Sequence, residues 1–580
     1  MSNRFVISIV FAFLCFTSLG APISPQEALK RAEDLSSKFR LSIKSSQKNN
    51  KIIYEPSLIY TVKKASIPTI YLFETGDGIL CLSADNTVPP ILGYTDNCAK
   101  PEDFPPAFIA WMNTISREIS YLSDRASEEE VLVDGSESEE KKDFDAIAPL
   151  CKTFWDQCYP YNKECPKANS PESCYTGCVA TSMAQVMKYH NWPFVGVGSI
   201  AYYWEYGHLT LETDFSEQSF DWDNMLDYYM AGDSEEEVDA VAQLMKACGY
   251  SVEMNYSHSA SGSYSPYIAR ALVTYFKYDK EPIRYVMRDY YTLADWQELI
   301  YKSLKDYGPV ILDGQSNQGG HSFVCDGYDK DGYFHINWGW GGVSNGYYLL
   351  SVLDPYNQGI GGSGDDSGFN YMQDAIIGIT PAHGTSPDET WHNQLYGFGV
   401  FGIDTSLEYS LGDEVGPFCE EGVFNFGPAP LPEGTLLGLL FREAKEDGED
   451  SREYVSVEEF EEEIPVPYGF VVYGLPLPEE IPDGIYNVTL AYKAPSLNWG
   501  EWTDILFKEG TNSSYKATVK DGIIRFEESD WKPGEVEEIE STDQDSQKLY
   551  FNLQGMPIQN PAKGEIVIVK EGKKSYKRAF

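Results

Sequence analysis

Positive charge is scarce in this chain of 580 residues: 44 lysines and arginines stand against 89 aspartates and glutamates, a net charge of −45. A surface of that sign repels phosphate backbones and anionic lipid, so nucleic acid and acidic membranes are excluded as partners. Long apolar runs are missing as well. The one candidate, Phe5 to Leu14, follows Arg4 and precedes Ser18-Leu19-Gly20. It is too short to span a bilayer and reads as a secretory signal peptide over 1–20. Paired C-x-x-C spacing is absent from the cluster Cys151, Cys158, Cys165 and Cys174. That disfavours zinc and leaves a disulfide within the cluster as the better expectation. No metal or cofactor is expected. What abounds is tyrosine (41) and glycine (49), as in β-rich secreted proteins with many turns. The length exceeds one core, so about three or four domains are expected.

Residues 174–193 draw attention first. Val179, Met183, Val186 and Met187 make one apolar helical stripe. Thr176 is the expected cap and Pro193 marks the end. Cys178 then opens the helix, where unpaired N–H groups and the helix dipole favour thiolate. Taken alone, the segment equally fits one more small buried residue.

A second stretch bears on the choice. Residues 319–342 predict two short strands, 322–328 and 333–338, about the turn Asp329-Lys330-Asp331-Gly332. Symmetric pairing sets His321 opposite Trp340, with Asn337 and Trp338 on the return strand. A cysteine at a helix start with a distant His and Asn is the arrangement of papain-like peptidases. The other histidines are set aside. His190 lies about three turns from Cys178, His335 reads as structural, and His208, His258, His383 and His392 fall outside any motif. Cys174 is the rival nucleophile, four residues before the helix.

The run Gly177-Cys178-Val179-Ala180-Thr181-Ser182-Met183-Ala184-Gln185-Val186-Met187-Lys188-Tyr189-His190-Asn191-Trp192-Pro193, with Gly319-Gly320-His321-Ser322-Phe323-Val324 and Asn337-Trp338-Gly339-Trp340-Gly341-Gly342, closely resembles the streptopain family of secreted bacterial cysteine peptidases. The resemblance spans roughly 146–382, with a weaker one before it. It implies Cys178 as nucleophile, His321 as proton acceptor and Gln157 as an oxyanion-hole residue. Trp338 and Trp340 are implied to flank the histidine, and Asn337 is a further candidate for orienting it. It also implies an α+β, papain-like two-lobed catalytic domain and a hydrophobic residue two positions before the cleaved bond.

In chain order, a first α+β domain occupies 21–125 and resembles the family's inhibitory propeptide. An acidic polar stretch, 126–145, reads as an exposed cleavable linker. The catalytic domain is expected over 146–382, with helices at Ser234–Cys248 and Leu293–Lys305 and a glycine-rich loop at Gly359–Gly368. Short alternating runs over 385–540 predict an all-β, immunoglobulin-like sandwich. Residues 546–580 resemble C-terminal sorting segments of type IX secretion in the Bacteroidetes. The expected activity is that of a secreted cysteine endopeptidase made as a zymogen, extracellular or on the outer-membrane surface. Its expected partners are protein and peptide substrates, its own propeptide and a secretion machinery. The competing readings are an inactive surface adhesin or inhibitor, and an acyltransferase on the same fold.

Overall fold

The computed structural model describes residues 23–35, 56–128, 144–351, 373–382 and 392–531 apart from short interruptions, and four further strands between 548 and 579. The expected signal peptide, most of the acidic linker, the Gly359–Gly368 loop and His383 lie outside the described residues. No described helix is long and apolar enough to cross a membrane.

The first described element is helix α1 (Pro25–Leu35), followed by four antiparallel strands: β1 (Ser57–Lys64), β2 (Ile67–Glu74), β3 (Ile79–Ser83) and β4 (Ile91–Thr95). Helix α2 (Pro106–Glu128) follows. Its Phe108, Trp111, Met112, Ile115 and Ile119 recur at helical spacing and are all buried. The helix α3 (Cys178–His190) comes next, then the hairpin β5 (Ser199–Trp204) and β6 (Leu209–Asp214). Helix α4 (Glu235–Ser251) starts at a capping box in which Ser234 and Glu237 exchange side-chain and backbone bonds. Then come α5 (Pro266–Phe276), β7 (Arg284–Met287) and α6 (Leu293–Tyr307), the last capped by Thr292. Five strands complete this part: β8 (Val310–Ser316), β9 (Gly319–Tyr328), β10 (Phe334–Asn337), β11 (Gly346–Tyr348) and β12 (Gln373–Ile377).

These strands join into one ten-stranded sheet ordered β1-β2-β3-β4-β11-β10-β9-β8-β12-β7. The N-terminal strands therefore continue the later ones, and the seam is β4 on β11, with Thr95, Tyr94 and Gly93 opposite Gly346, Tyr347 and Tyr348. The seam needs its glycines. A Cβ on Gly346 would meet the Tyr94 carbonyl oxygen at 2.3 Å, and one on Gly93 the Tyr347 carbonyl oxygen at 2.8 Å. Helix α2 lies over the join. Its stripe shares one core with Leu312, Phe323, Ile336, Trp338 and Tyr348. On the other face, α3, α4 and α5 pack with β5 and β6 around a second core.

Residues 392–531 are all-β. A larger sheet is ordered 408–410, 523–529, 514–520, 484–493, 436–443 and 453–459, and a smaller one 469–470, 423–425, 395–397 and 506–507. They enclose a third core of their own. The last strands, 548–551, 557–558, 566–571 and 574–579, make a four-stranded antiparallel sheet.

Candidate active site

The start of α3 differs from the expectation. Thr176 is buried, and its hydroxyl pairs with that of Thr181 at 2.9 Å instead of capping the helix. The cap is Gly177, at φ +87°, where a Cβ would also meet Met254 at 2.8 Å. Only glycine tolerates both conditions, so Gly177 is what lets the chain turn abruptly into a helix at Cys178. The Gly177 carbonyl accepts from the Thr181 amide at 3.1 Å and from its hydroxyl at 3.0 Å.

Cys178 is half-buried between α3 and β9. The amide of Ser322, the residue after His321, lies against its sulfur, and the amides of Val179 and of Cys178 itself also favour its thiolate. Burial pushes the thiol up to about 11, the nearby Asp313 carboxylate adds to this, and the three amides oppose it. Burial likewise lowers the His321 imidazole below its ordinary value. Both shifts disfavour the charged forms of the pair. The helix start alone would give a thiolate, but here desolvation outweighs it.

His321 sits on β9, opposite Gly314 of β8. The return strand β10 pairs Asn337 with Val324 and Phe334 with Tyr328, with a bulge between His335 and Ile336. The ladder stops at Asn337, so Trp340 leaves the strand and is not paired across from His321. It remains partly exposed. Trp338 is 2% exposed. Its ring packs on Phe323 at 4.9 Å and on Phe108 of α2 at 5.7 Å, and its indole donates to the Ser344 carbonyl at 2.8 Å.

Asn337 serves a different wall from the one expected. Its amide donates to the Thr153 carbonyl at 2.8 Å and to Gln185 Oε1 on α3 at 3.0 Å, and its oxygen accepts from the Gly339 amide. Those bonds tie the end of β10 to the nucleophile helix and leave none directed at His321. Gln157 is half-buried beside the nucleophile loop. Its carbonyl accepts from the Thr176 amide at 3.2 Å, two residues before Cys178.

The remaining histidines have other partners. His190 meets the Tyr278 hydroxyl at 3.2 Å, and burial takes it down to about 4. His258 lies 3.8 Å from the Cys174 sulfur. His392 packs edge-on to Trp499, and His208 is exposed. His335 is clasped between Asp326 Oδ1 at 2.6 Å and Asp96 Oδ2 at 2.9 Å, the latter from the N-terminal region. Burial alone would lower its imidazole, but the two carboxylates carry it up to about 9. Asn97 adds a second clamp: its side chain donates to the Gly342 carbonyl and accepts from the Ser344 amide, holding the turn that carries Trp340. Cys151, Cys158, Cys165 and Cys174 form no disulfide, contrary to expectation. Cys165 and Cys174 are enclosed in the apolar core with α3 and α4, where small thiols pack as hydrophobes. No group of metal-ligating side chains occurs among the described residues.

Sequence reasoning missed Thr153, Gln185, Asp96, Asp313 and Ser322, because their partners are far away in the chain. The only local signal was an acidic residue inside an apolar strand, as in Val310-Ile311-Leu312-Asp313.

Against known proteins, residues 155–348 match the Peptidase C10 family and residues 20–119 match the Spi protease inhibitor. The chain is 32% identical over 432 residues to the Thiol protease/hemagglutinin PrtT of Porphyromonas gingivalis, covering 70% of this chain and 48% of that one. It thus spans about half of that relative's length. It is 31% identical over 327 residues to Streptopain of Streptococcus pyogenes, covering 54% of this chain and 80% of that one. Among solved structures, a prointerpain A fragment of Prevotella intermedia is 31% identical, covers 56% of this chain and 99% of that one, and has a TM-score of 0.48.

Proposed function

The chain belongs to the Peptidase C10 family, and from that premise we propose that it is a secreted thiol endopeptidase made as a zymogen, with Cys178 and His321 as its catalytic pair. The observation that carries the assignment of the pair is the Ser322 amide on the Cys178 sulfur, which joins the nucleophile helix to the strand bearing His321. In the reaction, the Cys178 sulfur attacks the scissile carbonyl carbon as thiolate, with His321 holding the proton. The oxyanion is met by the Cys178 amide and the Gln157 side chain. His321 gives its proton to the leaving amine, and a thioester remains on Cys178. His321 then takes a proton from water, which attacks the thioester and frees the acid and the thiol. Asn337 acts as a brace between β10 and α3 and not as a direct partner of His321.

Residues 21–125 act as the inhibitory propeptide. Their strand pairing with β11, the Asp96–His335 pair and the Asn97 bonds to the 339–345 turn are the contacts through which that region would act. The stretch 126–145 is the proposed cleavage region and 146–382 the catalytic domain, papain-like in its two lobes. Residues 385–540 are read as an immunoglobulin-like sandwich. The signal peptide over 1–20 and the sorting segment over 546–580 would together bring the protein to the outer-membrane surface or the medium.

The test is to incubate the processed protein with an epoxysuccinyl thiol inhibitor, map the labelled cysteine by mass, and assay casein for new peptide N-termini. Label on Cys178 with loss of hydrolysis is expected. Label on Cys174, or casein modified by added amines without new N-termini, would refute the reading.

A further inference from the structure

Behind the nucleophile, three neighbouring strands line up polar side chains in an otherwise apolar layer. Asp374 of β12 lies opposite Asp313 of β8, and Asp313 lies opposite Ser322 of β9. Both carboxyls are buried, 4% and 5% exposed. From β7, the Tyr285 hydroxyl donates to Asp374 Oδ2 at 2.9 Å. The Ser265 hydroxyl faces both carboxyls. Ser322 reaches Asp313 with its hydroxyl, which is also 2.6 Å from the hydroxyl of Ser182 on α3. The titratable groups facing the pair are therefore Tyr285 and, from α3, Cys178. Among the described residues no cation faces them.

Two oxygens are left over. Asp313 Oδ2 and Asp374 Oδ1 are buried without a hydrogen-bond partner. Two adjacent buried carboxylates with no cation cannot both stay ionised. One proton between them supplies the donor that both oxygens lack. We propose that Asp313 and Asp374 share a single proton, and that this bridged pair is a positioning device which, through Ser322, aims the amide that contacts the Cys178 sulfur. Burial raises both carboxyls well above the usual carboxylate range, which fits a proton retained at neutral pH. Loss of that proton in alkali would set a second negative charge behind the thiolate and oppose its formation.

The inference rests on Cys178 as the nucleophile, so the experiment reads the two separately. First, infrared spectra of the full chain at neutral pH should contain a protonated-carboxyl C=O band that persists in Cys178→Ala and vanishes in Asp374→Asn. Its absence from the wild type would overturn the shared proton whatever the catalytic residues are. Second, the rate of iodoacetamide alkylation at Cys178 should be followed against pH in the processed enzyme. Asp374→Asn supplies a permanent donor and should stay within about threefold of wild type at neutral pH while losing the alkaline fall in rate. Asp374→Leu should lower the neutral rate and kcat at least about tenfold with little change in KM. An Asp374→Leu enzyme with the wild-type alkylation profile and kcat would overturn the positioning role. Failure of wild-type Cys178 to alkylate would instead strike the proposed function.

Discussion

Two regions flank the catalytic body, and they are attached in opposite ways. The N-terminal strands continue its sheet, and α2 completes its core, so that Phe108 touches Trp338 and Tyr348. The C-terminal β region has a main core of its own, and only Tyr396, with Phe398, Phe426 and Leu506 beside it, joins the core of the catalytic body. It is fastened largely by tyrosines: Tyr396 donates to the Tyr285 carbonyl at 2.8 Å and Tyr290 to the Gly397 carbonyl at 3.0 Å. The region read as removable is thus the one whose strands continue the enzyme's sheet, and the one read as permanent has sheets and a main core of its own. A propeptide that only plugged a finished cleft would not need to share a core with it. Sharing the core lets it govern the shape of the wall that bears His321.

The largest test of this contrast is Cys178→Ala. Hydrolysis should fall at least about a thousandfold, and the uncut precursor should accumulate on gels with its N-terminal region still in place. A variant that still processes itself would break the link between the pair and maturation.

Next come paired core truncations, made in the Cys178→Ala background and followed by calorimetry. Phe108→Ala should destabilise the transition of the catalytic body by about 3–5 kcal/mol, as for other buried phenylalanines. Leu439→Ala, in the C-terminal core, should lower a separate transition by about 2–5 kcal/mol and leave the first alone. If both mutations move the same single transition, the two regions are not attached differently.

A smaller effect is expected at Asp96. The His335 imidazole is raised above its ordinary value, so its pairing stabilises the joined state below about pH 6.5 and loses its contribution as pH rises through about 9. Asp96 is about half exposed, and solvent reduces its share to about 1 kcal/mol. The difference in melting temperature between the precursor and its Asp96→Asn variant should therefore be present near neutrality and vanish in alkali. A difference that grows with pH would reverse the assignment. The smallest effect on catalysis is expected from deleting 546–580, with casein hydrolysis within about twofold of wild type and the protein retained inside the cell envelope, as fractionation would report.

The helix at Cys178, its apolar stripe, the helix starting at Ser234 and the hairpin about Asp329 were legible because each rests on residues close together in the chain. Thr176 misled because a capping hydroxyl and a buried one look alike in sequence, and only the crowding by Met254 selects Gly177. Asn337 misled for a related reason: strand alternation gives its face but not which wall that face meets. The seam of β4 on β11 joins segments some 250 residues apart and leaves no local trace. Asp313 and Asp374 look like solvent positions until β12 and β8 are laid side by side.

The brevity of the seam has a kinetic meaning. The seam itself is short, three residue pairs and one charged clasp, but the burial of α2 in the shared core makes the whole contact extensive, and while the chain is continuous the two surfaces face each other at an effective concentration in the millimolar range, as for short tethers. Cutting the tether replaces that concentration with whatever the surroundings offer. Under the proposed zymogen reading, release after the cut would then be set by the dilution of the fragments against the strength of that shared core.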